Sequence, residues 1–500
     1  MKRISEALNL TQNQVLVLNT SLNSFAGKKE IKILSATPFV KFEGHESYIT
    51  ESQFVPSRED VLEETPSCNR YITEPGYYIL TIEVACDIKG LGYTVLTFEE
   101  SNEDNSLIDS QETSIGTEGL KITYELNQVN LHINGKKISN FLSIEDEGNT
   151  GDTYDFSPLS TVKPIESKFN ECRVSKNEFQ QKMVLKGNVD LPYTLEDREN
   201  GKYNNEFSYK LTLIIDQNSD IKGNIHFENT LLNHRVRLKV NLNDQITNSV
   251  SGLPFGFISK TNKELNEWQK DYSEMPVNVE PFEKTVSAIT ESSCVTVFTQ
   301  DSKEYEYSDD SLFITLLATT DSLGKPNLSY RPGRASGDTT KKGHIMMETP
   351  LAQMENHVID FNFAIDVTET DFSEERVAMW RSKLLQPSVY YQKQDLNYFI
   401  YRIDNKIQKR IQSLTLTNMD YSVLDGILSD QIIVSSIHYS YYDEDAFVVR
   451  LENPTSQPQE ITLEALMDTN DVTEINAIEE EQELTMSIPG YGLKSLLIKK

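Results

Sequence analysis

Tryptophan is nearly absent from this chain, with two residues in 500; cysteine is rare, with four; and basic residues fall well short of acidic ones, 47 against 77. Each shortage excludes something. Cys68, Cys86, Cys172 and Cys294 are scattered at separations that match neither a zinc knuckle nor a compact disulfide framework, so reduced thiols are the expectation. A net charge of −30 repels phosphate backbones and anionic headgroups, so neither nucleic acid nor a membrane surface is an expected partner. No apolar run approaches the roughly 20 residues that cross a bilayer. The first residues, Met1-Lys-Arg-Ile-Ser-Glu-Ala-Leu8, also lack the apolar stretch of a secretory signal. A cytoplasmic location follows as an expectation.

What is present is period-two alternation. Phe207-Ser-Tyr-Lys-Leu-Thr-Leu-Ile-Ile215 and His234-Arg-Val-Arg-Leu-Lys-Val-Asn-Leu242 place an apolar side chain at every second position, the signature of a half-buried antiparallel strand. Further strands are expected at 77–86, 120–133, 312–317, 358–365 and 447–451, separated by turn signals such as Asn134-Gly135 and Asn200-Gly201. Helix is scarce. Asp371 would cap one short helix, with Val377, Trp380 and Leu384 on one face and Pro387 ending it. Met1 to Leu10 has helical character but is too short to persist alone, and reads as the tail of a preceding helical segment.

One internal echo bears on organisation. Ile88-Lys-Gly-Leu-Gly92 with Leu96 recurs as Ile488-Pro-Gly-Tyr-Gly492 with Leu496, and both read as a turn, with glycines supplying positive φ, into the closing strand of a small sandwich. With the acidic, serine-rich stretch 99–118 as linker, the expected domains are 1–105, a small β-sandwich with the short helical remnant; 106–385, a large central β-sandwich; and 386–500, a second small one.

Two segments carry candidate chemistry. Glu145-Asp-Glu-Gly-Asn-Thr-Gly-Asp-Thr-Tyr-Asp-Phe-Ser-Pro158 reads as an acidic loop in which Asp152 and Asp155 flank Tyr154: acceptors for hydroxyl hydrogens beside an amphipathic ring, as a sugar site uses. The competing reading is a long turn whose acids bond backbone amides. In Arg331-Pro-Gly-Arg-Ala-Ser336, Pro332-Gly333 fits a tight turn presenting Arg331 and Arg334 together, either to hydroxyls and carboxylates of a ligand or to acids of this chain. Trp268 and Trp380 are more simply core residues than sugar platforms, and Tyr439-Ser-Tyr-Tyr442 is more simply strand packing than a binding stripe. His226 and His234, on neighbouring expected strands, are more simply packed or solvated than a metal pair.

Gly151-Asp-Thr-Tyr-Asp-Phe-Ser-Pro158, Arg331-Pro-Gly-Arg-Ala-Ser336 and Glu348-Thr-Pro-Leu-Ala-Gln353 together resemble motifs in bacterial members of glycoside hydrolase family 38, the zinc-dependent α-mannosidases. Arg450-Leu-Glu-Asn-Pro-Thr455 and Asn233-His-Arg-Val-Arg237 resemble packing elements of the same family. The resemblance covers the family's C-terminal, all-β half. It implies a mainly β fold: a large galactose-mutarotase-like supersandwich flanked by two small β-sandwich domains. It implies that Tyr154 faces the sugar beside the zinc, and that Arg331 and Arg334 lie near the outer substrate cleft or a domain junction. The family's His-x-Asp metal signature follows none of the seven histidines, so no catalytic or metal-ligating residue is assigned here, and zinc is expected in a catalytic domain outside these residues. The expected role is the carbohydrate-binding or structural portion of an α-mannosidase, with an α-mannoside or another sugar and a separate catalytic polypeptide as partners. Alternatives are a stand-alone carbohydrate-binding protein and a mutarotase-type epimerase, with His226 and Glu228 as its candidate acid and base.

Overall fold

The computed structural model describes residues 2–499 apart from 22–23, 65–67, 102, 105, 178–179, 217–220, 264–265, 336–345, 370, 386–387, 395, 397–417, 419, 423–430, 464–466 and 468–470. The chain is mainly β, and its described strands pair antiparallel throughout the named sheets. Two compact units account for it: residues 108–377, and residues 1–107 together with 378–500. Among the described residues no helix is long and apolar enough to cross a membrane.

Residues 108–377 form a sandwich of a nine-stranded and a ten-stranded sheet. Alternation sets its core. In Asn205–Asp216 the odd positions Phe207, Tyr209, Leu211, Leu213 and Ile215 are buried, and they meet Val236, Leu238 and Val240 of His234–Asn241 from the opposite sheet. Asn134 and Gly135, at φ 47° and 83°, make the tight turn joining Gln128–Ile133 to Lys136–Gly148. Gly187 and Gly223 are strand glycines for a packing reason: a Cβ on either would lie within 2.2 Å of the ring of Tyr209 or Phe363.

Residues 1–107 fold around a core that includes Val15, Val17, Ile31, Ile33, Leu80, Ile82 and Leu96. The helix Lys2–Ala7 leads to Leu8 and Leu10, which pack with Leu16 and Tyr93. Gln14–Leu18 is bracketed by Gly92–Ser101 and by Val389–Gln392, a pairing nearly 400 residues apart in sequence that local pattern could not reveal. Residues 433–499 close a further five-stranded sheet over Val449, Leu451, Leu463, Ile488 and Leu496. The short helix forms at Glu374–Leu384 with Val377 buried, and its first turn is held by Ser373, whose Oγ accepts from Arg376 N at 3.2 Å. Ser373 stands in the place expected of Asp371 because it directly precedes the first helical residue.

The echo between 88–96 and 488–496 is structural, and it has a third copy that the sequence reading did not find. Asn19 donates its backbone N–H to Gly92 O of the far turn, donates its side-chain amide to Ile88 O and Lys89 O, and accepts from Ser21 N. Asn453 repeats this with Gly492 O, Ile488 O, Pro489 O and Thr455 N, and Asn229 repeats it with His357 O, Gln353 O, Met354 O and Leu231 N. Positive φ in these turns falls on Leu91, on Tyr491, and on Met354 and Asn356, rather than on the expected glycines. One buried amide thus satisfies two turn carbonyls and a neighbouring N–H in each sandwich, which offsets the strain of a left-handed residue.

Candidate functional site

The acidic segment is not all loop. Residues 145–148 complete the strand Lys136–Gly148, and the loop proper runs from Asn149 to Pro158, which form a bridge across its base. Asn149 organises it from inside: its Oδ1 accepts from Gly151 N at 2.9 Å and Ser157 N at 3.2 Å, while its Nδ2 donates to Thr319 O at 2.9 Å. Gly151 is required at the crossing, because a Cβ there would sit 2.0 Å from Asp155 O.

Asp152 is 3% exposed and its carboxylate is saturated. One oxygen accepts from Tyr154 N at 3.0 Å and Asp155 N at 3.2 Å; the other accepts from Lys325 N at 2.9 Å and from Arg331 Nη2 at 3.1 Å. Arg331, 4% exposed, also lies 2.6 Å through Nε from Asp155. Burial, with help from Asp152 and Glu274, raises the Asp155 carboxyl above its usual range despite the pull of Arg331. Arg331–Ala335 is a strand paired with Pro326–Leu328, so the turn lies at Ser329-Tyr330, before the Pro332-Gly333 expected to form it. Proline is tolerated there because the ladder is only two strands wide. The structure therefore brings Asp152, Asp155 and Arg331 together as an internal clamp. Tyr154 stands on top of it, 61% exposed. The side chain of Arg334 lies outside the described residues.

Under the loop lies an ion lattice that the sequence reading missed. Glu145 and Glu147 face Arg237 and Arg235 directly across the strand pair. Arg235 reaches Glu147 at 2.6 Å and Glu306 at 3.0 Å; Arg237 pairs with Glu145 and reaches Glu306 at 2.8 Å. Phe156 of the loop caps Arg235, its ring centroid 3.6 Å from the guanidinium carbon. Burial raises the Glu147 carboxyl against the pull of both arginines, whereas Arg235, although burial opposes its charge, is held above its ordinary value by Glu147, Glu306 and Glu304. The available signal was Glu-x-Glu in one strand and Arg-x-Arg in another, whose meaning depends on register.

The histidines are separated by the fold. His234 is fully buried, with Nδ1 2.6 Å from Asp146 and Nε2 2.8 Å from Asn229 Oδ1, while Arg198 pairs with the same aspartate. His226 belongs to the other sheet, where it lies 3.7 Å from Asp360 in a groove of about 470 Å³ that Glu228, Lys186 and Lys210 also line. Among the described residues no group of three or more His, Cys, Asp or Glu side chains is placed to hold a metal ion. Trp268 and Trp380 are half-buried. Glu348 is exposed, and Gln353 is buried with its Oε1 accepting from Asn233 N at 2.8 Å.

No protein-family profile and no curated protein matches the chain. Solved structures do. An α-mannosidase from Enterococcus faecalis V583 superimposes with a TM-score of 0.72 at 14% identity over 100% of this chain and 58% of its own. A glycosyl hydrolase family 38 protein from Enterococcus faecalis superimposes with a TM-score of 0.68, also at 14% identity, over 99% of this chain and 59% of its own. The chain thus spans about three fifths of the length of these proteins, and over that span it has the fold of family 38 α-mannosidase structures.

Proposed function

We propose that this chain supplies the carbohydrate-contacting, structural portion of an α-mannosidase assembly, forming one wall of an α-mannoside site without carrying out hydrolysis itself. The observation that carries this reading is the clamped loop: a buried carboxylate and guanidinium fix the backbone on both sides of Tyr154 and leave its ring in solvent, ready to stack on a pyranose and hydrogen-bond to it. Asp155, its side chain 45% exposed, would accept from sugar hydroxyls beside that ring. Arg331 acts by positioning, and Arg334 is proposed to contact the sugar. The metal and the nucleophile would come from a separate catalytic polypeptide or segment. Free thiols at buried Cys86 and Cys294 and at half-buried Cys172, raised by burial to about 11, are compatible with a cytoplasmic setting.

The test combines two measurements on the purified chain. An aryl α-mannoside with added zinc is expected to show no turnover, and titration calorimetry with α-mannosides is expected to show weak binding that Tyr154→Phe reduces about threefold to tenfold, the range of one lost hydrogen bond. Hydrolysis that depends on residues of this chain, or binding of the single-ring ligand methyl α-mannoside that is indifferent to Tyr154, would overturn the proposal.

A further inference from the structure

Large aromatic side chains left in water contribute nothing to folding and are an informative departure from the ordinary surface. The sharpest such departure lies in residues 438–445. Tyr439, Tyr441 and Tyr442 are 78%, 83% and 79% exposed, where the sequence suggested strand packing. Tyr439 ends the edge strand Ile433–Tyr439 of its sheet, and the other two rings follow at once in the loop.

The backbone that carries them is fixed. Ser440 N donates to Ala446 O at 3.0 Å, and Ser440 Oγ accepts from Tyr442 N and Asp443 N, each at 3.1 Å. Glu479 accepts from Tyr441 N at 3.1 Å. Asp443 accepts from Asp445 N at 3.0 Å and pairs with Lys499 at 3.0 Å. The His438 ring lies 5.7 Å, centroid to centroid, from that of Tyr441. Hydrogen bonds and ion pairs hold the main chain, while the three phenol rings, one after another, face solvent. Such an arrangement gives amphipathic contact area at low ordering cost.

We propose that Tyr439, Tyr441 and Tyr442 form a binding platform for a neutral oligosaccharide chain, separate from the Tyr154 loop. Charge selects the ligand class. The loop and its neighbour carry Asp443, Glu444, Asp445, Glu479, Glu480 and Glu481, with Lys499 paired to the first, so phosphorylated, nucleic-acid and anionic-lipid partners are repelled. The carboxylates of Asp443 and Glu479 are occupied by backbone amides and Lys499, which weakens the case for a basic peptide. A polyhydroxylated ring meets neither obstacle: its C–H face stacks on a phenol ring and its hydroxyls bond to the phenol oxygens.

The test is affinity electrophoresis of the full chain through native gels cast with mannan, xylan or mixed-linkage glucan. Retardation in at least one gel is expected, unchanged by added salt and by Tyr154→Phe. The triple variant Tyr439→Ala, Tyr441→Ala, Tyr442→Ala should then migrate freely. Each single variant should lose roughly threefold to tenfold in affinity, the range for one aromatic contact. Because all three rings are exposed, the variants should fold, and an unfolding midpoint within error of the parent confirms it. Free migration of the parent in every gel, or equal retardation of the folded triple variant, overturns the platform while leaving the proposal for Tyr154 untouched.

Discussion

The loops 149–158 and 438–445 both set carboxylates beside tyrosine and are locked by the same device. Each is acidic and aromatic, and each uses one side-chain oxygen to accept from the amides two and three residues on: Asp152 from Tyr154 and Asp155, Ser440 from Tyr442 and Asp443. They differ in what holds the anchor. Asp152 is buried against Arg331 in a loop whose Phe156 caps the ion lattice, whereas Ser440 hangs on an exposed rim through Glu479. The first loop is therefore part of the stability of its sandwich and offers one ring; the second is a local attachment offering three. Charge near an aromatic in sequence does not say whether the charge faces ligand or supports the backbone. Burial decides, because a carboxylate with four internal donors has no acceptor capacity left.

Three substitutions sharpen or break this contrast. Asp152→Ala should have the largest effect. It strands Arg331, 4% exposed, without the buried carboxylate it bonds, and removal of one member of a buried pair costs about 3–5 kcal/mol. Urea denaturation of the full chain should show the loss; a change below about 1 kcal/mol would mean that the clamp is not structural. Gly151→Ala comes next. Its methyl would meet Asp155 O at 2.0 Å and Ser157 N at 2.7 Å, so the loop must shift, at about 1–3 kcal/mol, and Tyr154-dependent sugar binding should fall with it. Ser440→Ala is the smallest, about 1 kcal/mol or less, because its bonds lie near solvent. Hydrogen exchange should speed up at the amides of Tyr442 and Asp443 while the global midpoint barely moves. An equally large midpoint loss from Ser440→Ala and Asp152→Ala would erase the distinction between the loops.

Much of the fold could be read directly, because strands with one buried face write their period into the sequence: 207–215 and 234–242 needed no tertiary information. The Asn134-Gly135 turn was legible for the same local reason. The turn at 331–334 was misplaced, since Pro-Gly signals a turn but a short two-stranded ribbon accepts proline too. The third asparagine clamp escaped notice because its turn, Gln353 to His357, lacks the glycines of the other two, and only the bonds of Asn229 show the likeness.

Sequence alone determined the β class of this protein, its acidic surface and the residues available at the Tyr154 loop, since composition and period act within a few residues. Tertiary structure decided what those residues do. Whether Asp152 faces a ligand or Arg331, whether Glu147 meets Arg235, and whether Tyr441 packs or projects depend on which strand lies beside which and in what register. A shift of one residue between the paired strands Lys136–Gly148 and His234–Asn241 would turn the shifted strand's charges to the other face and break the Glu–Arg lattice.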